Sequence, residues 1–373
     1  MDLVKILPLV CEDSIAGSIK THPEDFVVEE IPLYEHCGSG EHVYLSVQKK
    51  NLSHDDLLKI VARATHVLPN EIGYAGRKDL RAQTTQLLSV HLPNGDVELP
   101  SDLGGIRVLW QSRHTNKLHL GHLLGNRFKI RIRNADPGFT TLIQERMKYI
   151  SREGIPNAFG PQRFGNYKNN HQLGKSILLE DLDQVIHDLA LCDRPLSKRV
   201  TSYQSISAIA KPLRRLWVNA LQSAIFNDGL AQRIMEGTWS RPILGDLICM
   251  HGARGRTFEA TVEEIKSKEF QSRVKLVEVS PTGPLWGRKM RDPGSTVLER
   301  ELEVLQSFGL KKSDFVKTKQ YGVGGRRPLR VPVKNTSIVE GEDMHGPFVL
   351  AQFELPAGSY ATVVIALLLN VSI

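Results

Sequence analysis

The stretch GYAGRKDLRAQTTQ, residues 73–86, sets a single carboxylate, Asp79, beside Arg77, Lys78 and Arg81 among small and polar residues. A lone carboxylate in that company suits work as a nucleophile or a general base, because neighbouring cations favour its charged form. The small residues leave room for a polar ligand. Local spacing does not decide which cation faces the carboxylate. A second cluster, PNAFGPQRFG at 156–165, offers a different chemistry. Asn157 can both donate to and accept from a base edge, Phe159 and Phe164 provide flat apolar faces, Arg163 adds charge, and glycines allow close approach. An unstacked nucleobase is bound by such groups, although a core loop with two buried phenylalanines would read the same way. In IKTHPEDFVVEE, 19–30, Lys20 precedes a Pro-Glu-Asp turn and Phe26 opens a strand.

Other chemistries find no footing. LGKSILL at 173–179 resembles the end of a phosphate loop, but Asn169 stands where the first glycine is needed. GVGG at 322–325 lacks the spacing of a dinucleotide fingerprint. His114, His119 and His122 have no cysteine or carboxylate beside them and lie in cationic surroundings that oppose a divalent ion. No G-x-S-x-G elbow occurs. Neither a metal nor a cofactor is expected.

The 373 residues carry a net charge of +7, with 41% apolar and 24% charged side chains, the balance of a folded globular protein of two domains. Three windows, 103–135, 154–179 and 315–339, hold many Lys and Arg and no Asp or Glu. A polyanion is the partner such windows suggest, and solvated basic faces are the alternative. Cys11, Cys37, Cys192 and Cys249 form no C-x-x-C pair, which suits a reducing cytoplasm. The N-terminal apolar patch is broken by Lys5 and Pro8, so no export leader is expected. The longest apolar run, 361–369, falls well short of the ~20 residues of a membrane span. A soluble, cytoplasmic, monomeric protein with no obligate protein partner is the expectation.

These residues need elements to hold them. FVVEEI (26–31), HVYLSV (42–47), TTQLLSVHL (84–92) and FVLAQFEL (348–355) read as strands, and PLRVPV (328–333) is strand-like. Ser53 caps a helix with Leu57, Val61, Ala64 and Leu68 on its apolar face. Asp79 then falls on the loop between that helix and a strand. In FKIRIR (128–133), Phe128, Ile130 and Ile132 face the core while Lys129, Arg131 and Arg133 offer three charges on one sheet face, a surface that would suit phosphates. A helix spans 216–235, SPTGPLWG (280–287) reads as turn-rich, and an apolar helix starts near Ser359. The alternation of strands and helices gives an α/β (α+β) protein.

Taken together, HPEDFVVEE, GEHVYLSVQKKN, GYAGRKDLRAQTTQ, RHTNKLHLGHLLGNRFKIRIR, PNAFGPQRFG, PTGPLWG, GGRRPLRVPV and LPAGSYATVV occur in the order seen in the TruD family of tRNA pseudouridine synthases, which this chain resembles from residue 19 to about 364. The resemblance implies a pseudouridine synthase-type catalytic domain with a mixed, largely antiparallel sheet, formed by 1–184 and 325–373. An inserted α/β domain, 185–324, would close a basic cleft over the RNA. It makes Asp79 the catalytic aspartate, Lys20 its basic partner and Phe159 the ring stacked on the target base, with Phe26, Asn157 and Tyr360 lining the substrate pocket. The implied substrate is a tRNA uridine, at position 13 in the family, and the implied chemistry uses no cofactor. The chain departs from the family pattern at Arg77, Ala158 and Ile365 to Leu367, none of which holds a proposed chemical role. Two other classes fit the residues less well: a non-catalytic RNA-binding or RNA-folding protein, and a glycosidase or transglycosylase. The latter enzymes commonly use two carboxylates, and one stands out here.

Overall fold

The computed structural model describes residues 13–371 apart from 36, 94–98, 136, 253–255 and 318–320. The N-terminal patch and Cys11 lie outside these residues, as does Lys319. In chain order the first part forms β1 (Phe26–Pro32), β2 (His42–Lys50), α1 (His54–Thr65), β3 (Gly73–Tyr74), β4 (Gln83–His91), β5 (Ile106–His114), β6 (Leu123–Arg133) and α2 (Thr140–Glu153). The middle forms β7 (Ile155–Pro156), α3 (Asn170–Leu178), α4 (Leu182–Cys192), α5 (Arg194–Val200), α6 (Lys211–Met235), β8 (Leu247–Met250), β9 (Thr257–Glu259), α7 (Val262–Lys266), α8 (Lys268–Lys275), β10 (Val279–Leu285), α9 (Ser295–Ser307), α10 (Lys312–Lys317), β11 (Gly325–Pro328) and β12 (Arg330–Val331). The chain ends in β13 (Lys334–Asp343), β14 (Gly346–Pro356) and α11 (Ala361–Leu369). Among the described residues no helix is long and apolar enough to cross a membrane.

Two compact units result, one built on Val10–Ser151 with Val333–Ala361, the other on Arg152–Pro332 with Thr362–Ile373. Residues 152–184, read from sequence with the outer segments, therefore group with the middle of the chain. The first unit holds a mixed sheet in the order β13-β14-β6-β1-β4-β2-β5, with β3 beside β4. Its one parallel pairing joins β1 to β4, and the remaining pairs are antiparallel. Leu45, Val47, Leu88 and Val90 pack against Leu57 and Val61 of α1 in one cluster. Ser53 caps that helix by accepting from the Asp56 N–H at 3.0 Å. The helix ends at Thr65 and His66 turns left-handed, so Leu68 lies beyond the apolar stripe and is exposed. Pro69 follows, and a residue before proline is disfavoured in a helix.

The second unit holds α6 and a sheet in the order β11-β10-β8-β9. SPTGPLWG, read as turns, is the buried strand β10. Val279 to Pro281 pair with β8 on one side and Thr282 to Leu285 with β11 on the other. Each proline thus sits in a half paired along one edge only, where its missing N–H is tolerated.

FKIRIR alternates as expected, with Phe128, Ile130 and Ile132 buried, but its charges are not offered to phosphates. Lys129 pairs with Glu29 at 2.9 Å and Arg131 with Asp343 at 3.2 Å. Arg133 is buried and donates to both Asp25 oxygens and both Asp343 oxygens, at 2.7–3.0 Å. Four carboxylates (Glu354 pairs with Arg127) neutralise the face, which is why charge counting along one strand misread it. Hydrogen bonds from Arg133 hold the Asp343 carboxyl below the usual carboxylate range. Burial pushes Asp25 up, but hydrogen bonds from Arg133 and the His22 backbone outweigh it and leave that carboxyl low as well.

Carboxyls depressed in the folded state stabilise it above their unfolded pKa, about 4, and that contribution is lost as pH falls through the lower folded values. The melting temperature is therefore expected to drop steadily from pH 5 to pH 2. Arg133→Met should cost about 3–5 kcal/mol at neutral pH, as removal of one partner of a buried pair does, and should flatten that acid dependence. Calorimetry of both proteins across this range checks it.

Candidate active site

The parallel pairing of β1 with β4 sets Val27 opposite Gln83, so both strands are entered from the same end of the sheet. The turn ahead of β1 carries Lys20, and the loop ahead of β4 carries Asp79. Strand β2 runs antiparallel to β4 with Lys49 opposite Thr84, so its last residues reach the same end. Residues 20, 49 and 79 meet there.

Lys20 Nζ donates to Asp79 Oδ2 at 2.8 Å, with Asp79 one-third exposed. Among the described residues Asp79 Oδ1 accepts no hydrogen bond. Lys20 has a φ of +62°, a left-handed backbone that costs a lysine roughly 1–2 kcal/mol. Strain of this kind persists where surroundings over-determine it. The ion pair does so, and so does Phe26, whose ring centroid lies 4.1 Å from the ammonium. Phe26 is buried edge-on to Phe128, with ring centroids 6.2 Å apart. The turn itself is tied down by the His22 N–H donating to Asp25 Oδ2 at 2.9 Å, and so by the Arg133 network beneath it.

The other cations of the loop go elsewhere. Arg77 pairs with Asp55 on α1, in a pair whose side chains are 63% and 67% exposed. Lys78 lies 2.7 Å from Glu30 Oε2, the two side chains being 6% and 1% exposed, and donates to Asn126 Oδ1 at 2.9 Å. The question left open by local spacing therefore resolves to Lys20. An open hollow of roughly 420 Å³ adjoins the ion pair, lined by Lys20, Thr21, Pro23, Asn51, Leu80 and Arg81. It offers two cations and an amide beside a carboxylate.

Asn157 and Phe159 come together in the second unit. Arg327 Nε donates to the Asn157 carbonyl at 3.0 Å and Nη2 to its Oδ1 at 2.6 Å, while the guanidinium carbon sits 4.0 Å from the Phe159 ring centroid. Asn157 Nδ2 donates to the Pro328 carbonyl at 3.0 Å. Both main-chain groups of Phe159 are held by Asn227 at 2.9 Å, and Arg163 lies 5.2 Å from its ring. Phe159 is buried; Phe164 is half-buried, edge-on to His171. Tyr360 is half-buried between β14 and α11. Arg327 and Lys49 were not singled out from sequence. Arg327 stood among the cations of a basic window, and Lys49 lies past the strand read at 42–47, one of two adjacent lysines with no local signal of burial.

A carboxylate fixed by one ammonium beside a polar, cationic hollow is an arrangement suited to carboxylate chemistry on an anionic ligand. The comparisons give the particular family. The family model described as "tRNA pseudouridine synthase D (TruD)" matches residues 9–198 and 185–367, and the chain belongs to that family. Among curated proteins it is similar to tRNA pseudouridine synthase D of Anaeromyxobacter sp., 37% identical over 93% of this chain and 91% of that one. The protein of that name from Syntrophotalea carbinolica is 34% identical over 94% and 95%, and that from Thermus thermophilus 34% over 97% and 92%. Among solved structures, the putative tRNA pseudouridine synthase D of Methanosarcina mazei superposes with a TM-score of 0.75 at 25% identity, covering 99% of this chain and 97% of that chain.

The two structural lysine and arginine pairs of the loop should separate in stability. Lys78→Met strands a buried carboxylate and is expected to cost about 3–5 kcal/mol. Arg77→Ala is expected to cost under about 1 kcal/mol, as exposed pairs do. Urea midpoints of the two variants decide it.

Proposed function

We propose that the protein isomerises a uridine of tRNA, at position 13, to pseudouridine, with Asp79 as the catalytic carboxylate and Lys20 as its partner. The single observation that carries this reading is the 2.8 Å Lys20–Asp79 ion pair beside an open cationic hollow, in a chain of the TruD family. The reaction breaks the N1–C1′ bond, joins C5 to C1′, moves a proton from C5 to solvent and returns one to N1. Atoms and electrons balance without an oxidant, a reductant or an energy source.

An ionised carboxylate can begin this in two ways. It can attack C1′ to give a ribosyl ester, or remove the C2′ proton to give a glycal. Both need an oxygen that no cation occupies, and a pair made through Oδ2 alone supports that. Lys20 fixes the direction of the carboxylate and answers its charge. The uridine must leave its stack to be reached, at a cost of a few kcal/mol. We assign Phe159 and Asn157 to holding the flipped base, with Arg327 fixing both, and Tyr360 to the substrate pocket. Phe26 belongs to the site through Lys20. The segment 185–324 is the insertion domain of the family in this reading, and the flanking segments are the catalytic domain. The substrate is a polyanion, so phosphate contacts supply much of the affinity.

Asp79→Asn is expected to abolish pseudouridine formation while tRNA affinity stays within severalfold of the parent. A protein that only binds or folds RNA would be indifferent to this change, and equal loss of binding and product would remove the catalytic assignment. The logarithm of the binding constant should fall steeply and linearly with the logarithm of salt concentration. A flat response in filter binding would contradict the phosphate contacts.

A further inference from the structure

Lys49 is 1% exposed, and among the described residues no carboxylate lies within ion-pair distance of its ammonium. Its Nζ donates to two main-chain carbonyls, Leu52 at 2.7 Å and Asp79 at 2.8 Å. Burial pushes this ammonium below its usual range, with the charge of Asp79 acting the other way. Folding alone gives no reason for a cation here. Buried charge is expensive, and a neutral donor could satisfy the same two carbonyls.

What the lysine secures is the main chain at residue 79. The loop lies between β3, which ends at Tyr74, and β4, which starts at Gln83, so no ladder supports its centre. The Asn51 N–H also donates to the Ala82 carbonyl at 3.3 Å, and the side chain of Lys78 is held by Glu30 and Asn126, but Lys49 is the contact on the main chain of residue 79 itself. Holding the Asp79 carbonyl restricts the main chain from which the carboxylate projects, and Lys20 fixes one of its oxygens. Leu52 immediately precedes the helix cap Ser53, so the clamp fastens the loop to the junction of β2 and α1.

We infer that Lys49 is a positioning residue for the reaction: it holds the Asp79 main chain from inside the sheet so that Oδ1 meets the ribose in register. The inference rests on the reading of Asp79 as the catalytic group and adds the element that sets its place. A misplacement near 1 Å costs on the order of 100-fold in rate.

The test is Lys49→Met, close in shape but without charge or donors. The expected result is a kcat for pseudouridine formation about 100-fold lower, with tRNA affinity and KM within about threefold and only a modest fall in melting temperature from the two carbonyls left without a donor. A folded variant with parental kcat overturns the inference, and so does joint loss of kcat, affinity and melting temperature, the signature of a merely structural role. If Lys49→Met does not fold, Lys49→Gln is measured by the same criteria, and failure of both to fold also overturns it. Asp79→Asn assayed in parallel separates the two claims. Activity in that variant removes the catalytic reading itself, whereas an inactive Asp79→Asn beside a fully active Lys49→Met removes only the positioning role.

Discussion

The parallel pairing of β1 with β4 is the constraint from which the site follows. Lys20 and Asp79 are 59 residues apart, and neither strand contains anything that would bring them together if it ran the other way. Reversing either strand would put one side chain at the far end of the sheet, roughly 20 Å off for strands of this length. The antiparallel β2 then delivers Lys49 to the same end. One carboxylate is thus approached by two lysines with different duties, one on its oxygen and one on its main chain.

Around that arrangement the remaining charges are spent on rigidity. Arg133 with Asp25 and Asp343 underpins the turn that carries Lys20, and Lys78 with Glu30 pins the loop that carries Asp79. In the second unit Arg326 is buried against Glu301, and burial pushes the Arg330 guanidinium down to about 10 while it donates to main-chain carbonyls. Many cations of a basic chain therefore contribute to the fold. That leaves fewer of them for a polyanion than the net charge suggests. The left-handed Lys20 shows the same economy at the site, since its strained backbone is held by the contacts that orient it.

Much of this was legible in the sequence, and what was not has a physical cause. The β-branched and aromatic content of 26–31, 42–47 and 84–92 and the alternation of 128–133 located strands. In β2 and β4 both faces are buried over 43–47 and 86–90, so composition rather than alternation carried the signal there. The fold class and the family followed from ordered motifs. Strand β10 was missed because its prolines and glycine are tolerated only through a split pairing that no local signal encodes. The partners of Lys129, Arg131 and Arg133 were missed because Glu29, Asp343 and Asp25 come from strands and turns far away in the chain. Lys49 was illegible for a simpler reason: a buried lysine contradicts the rule by which strand-end lysines are read. Asp79 stood out from its neighbours alone, while its link to Lys20 needed either the family resemblance or the sheet.

The central claim is that the Lys20–Asp79 pair performs the isomerisation. The most direct measurement is the single-turnover release of tritium from tRNA labelled at uridine C5, with excess Lys20→Met enzyme. If the pair orients the carboxylate, release should slow by about 100-fold at tRNA occupancy matched to the parent. Release at the parental rate would contradict the account.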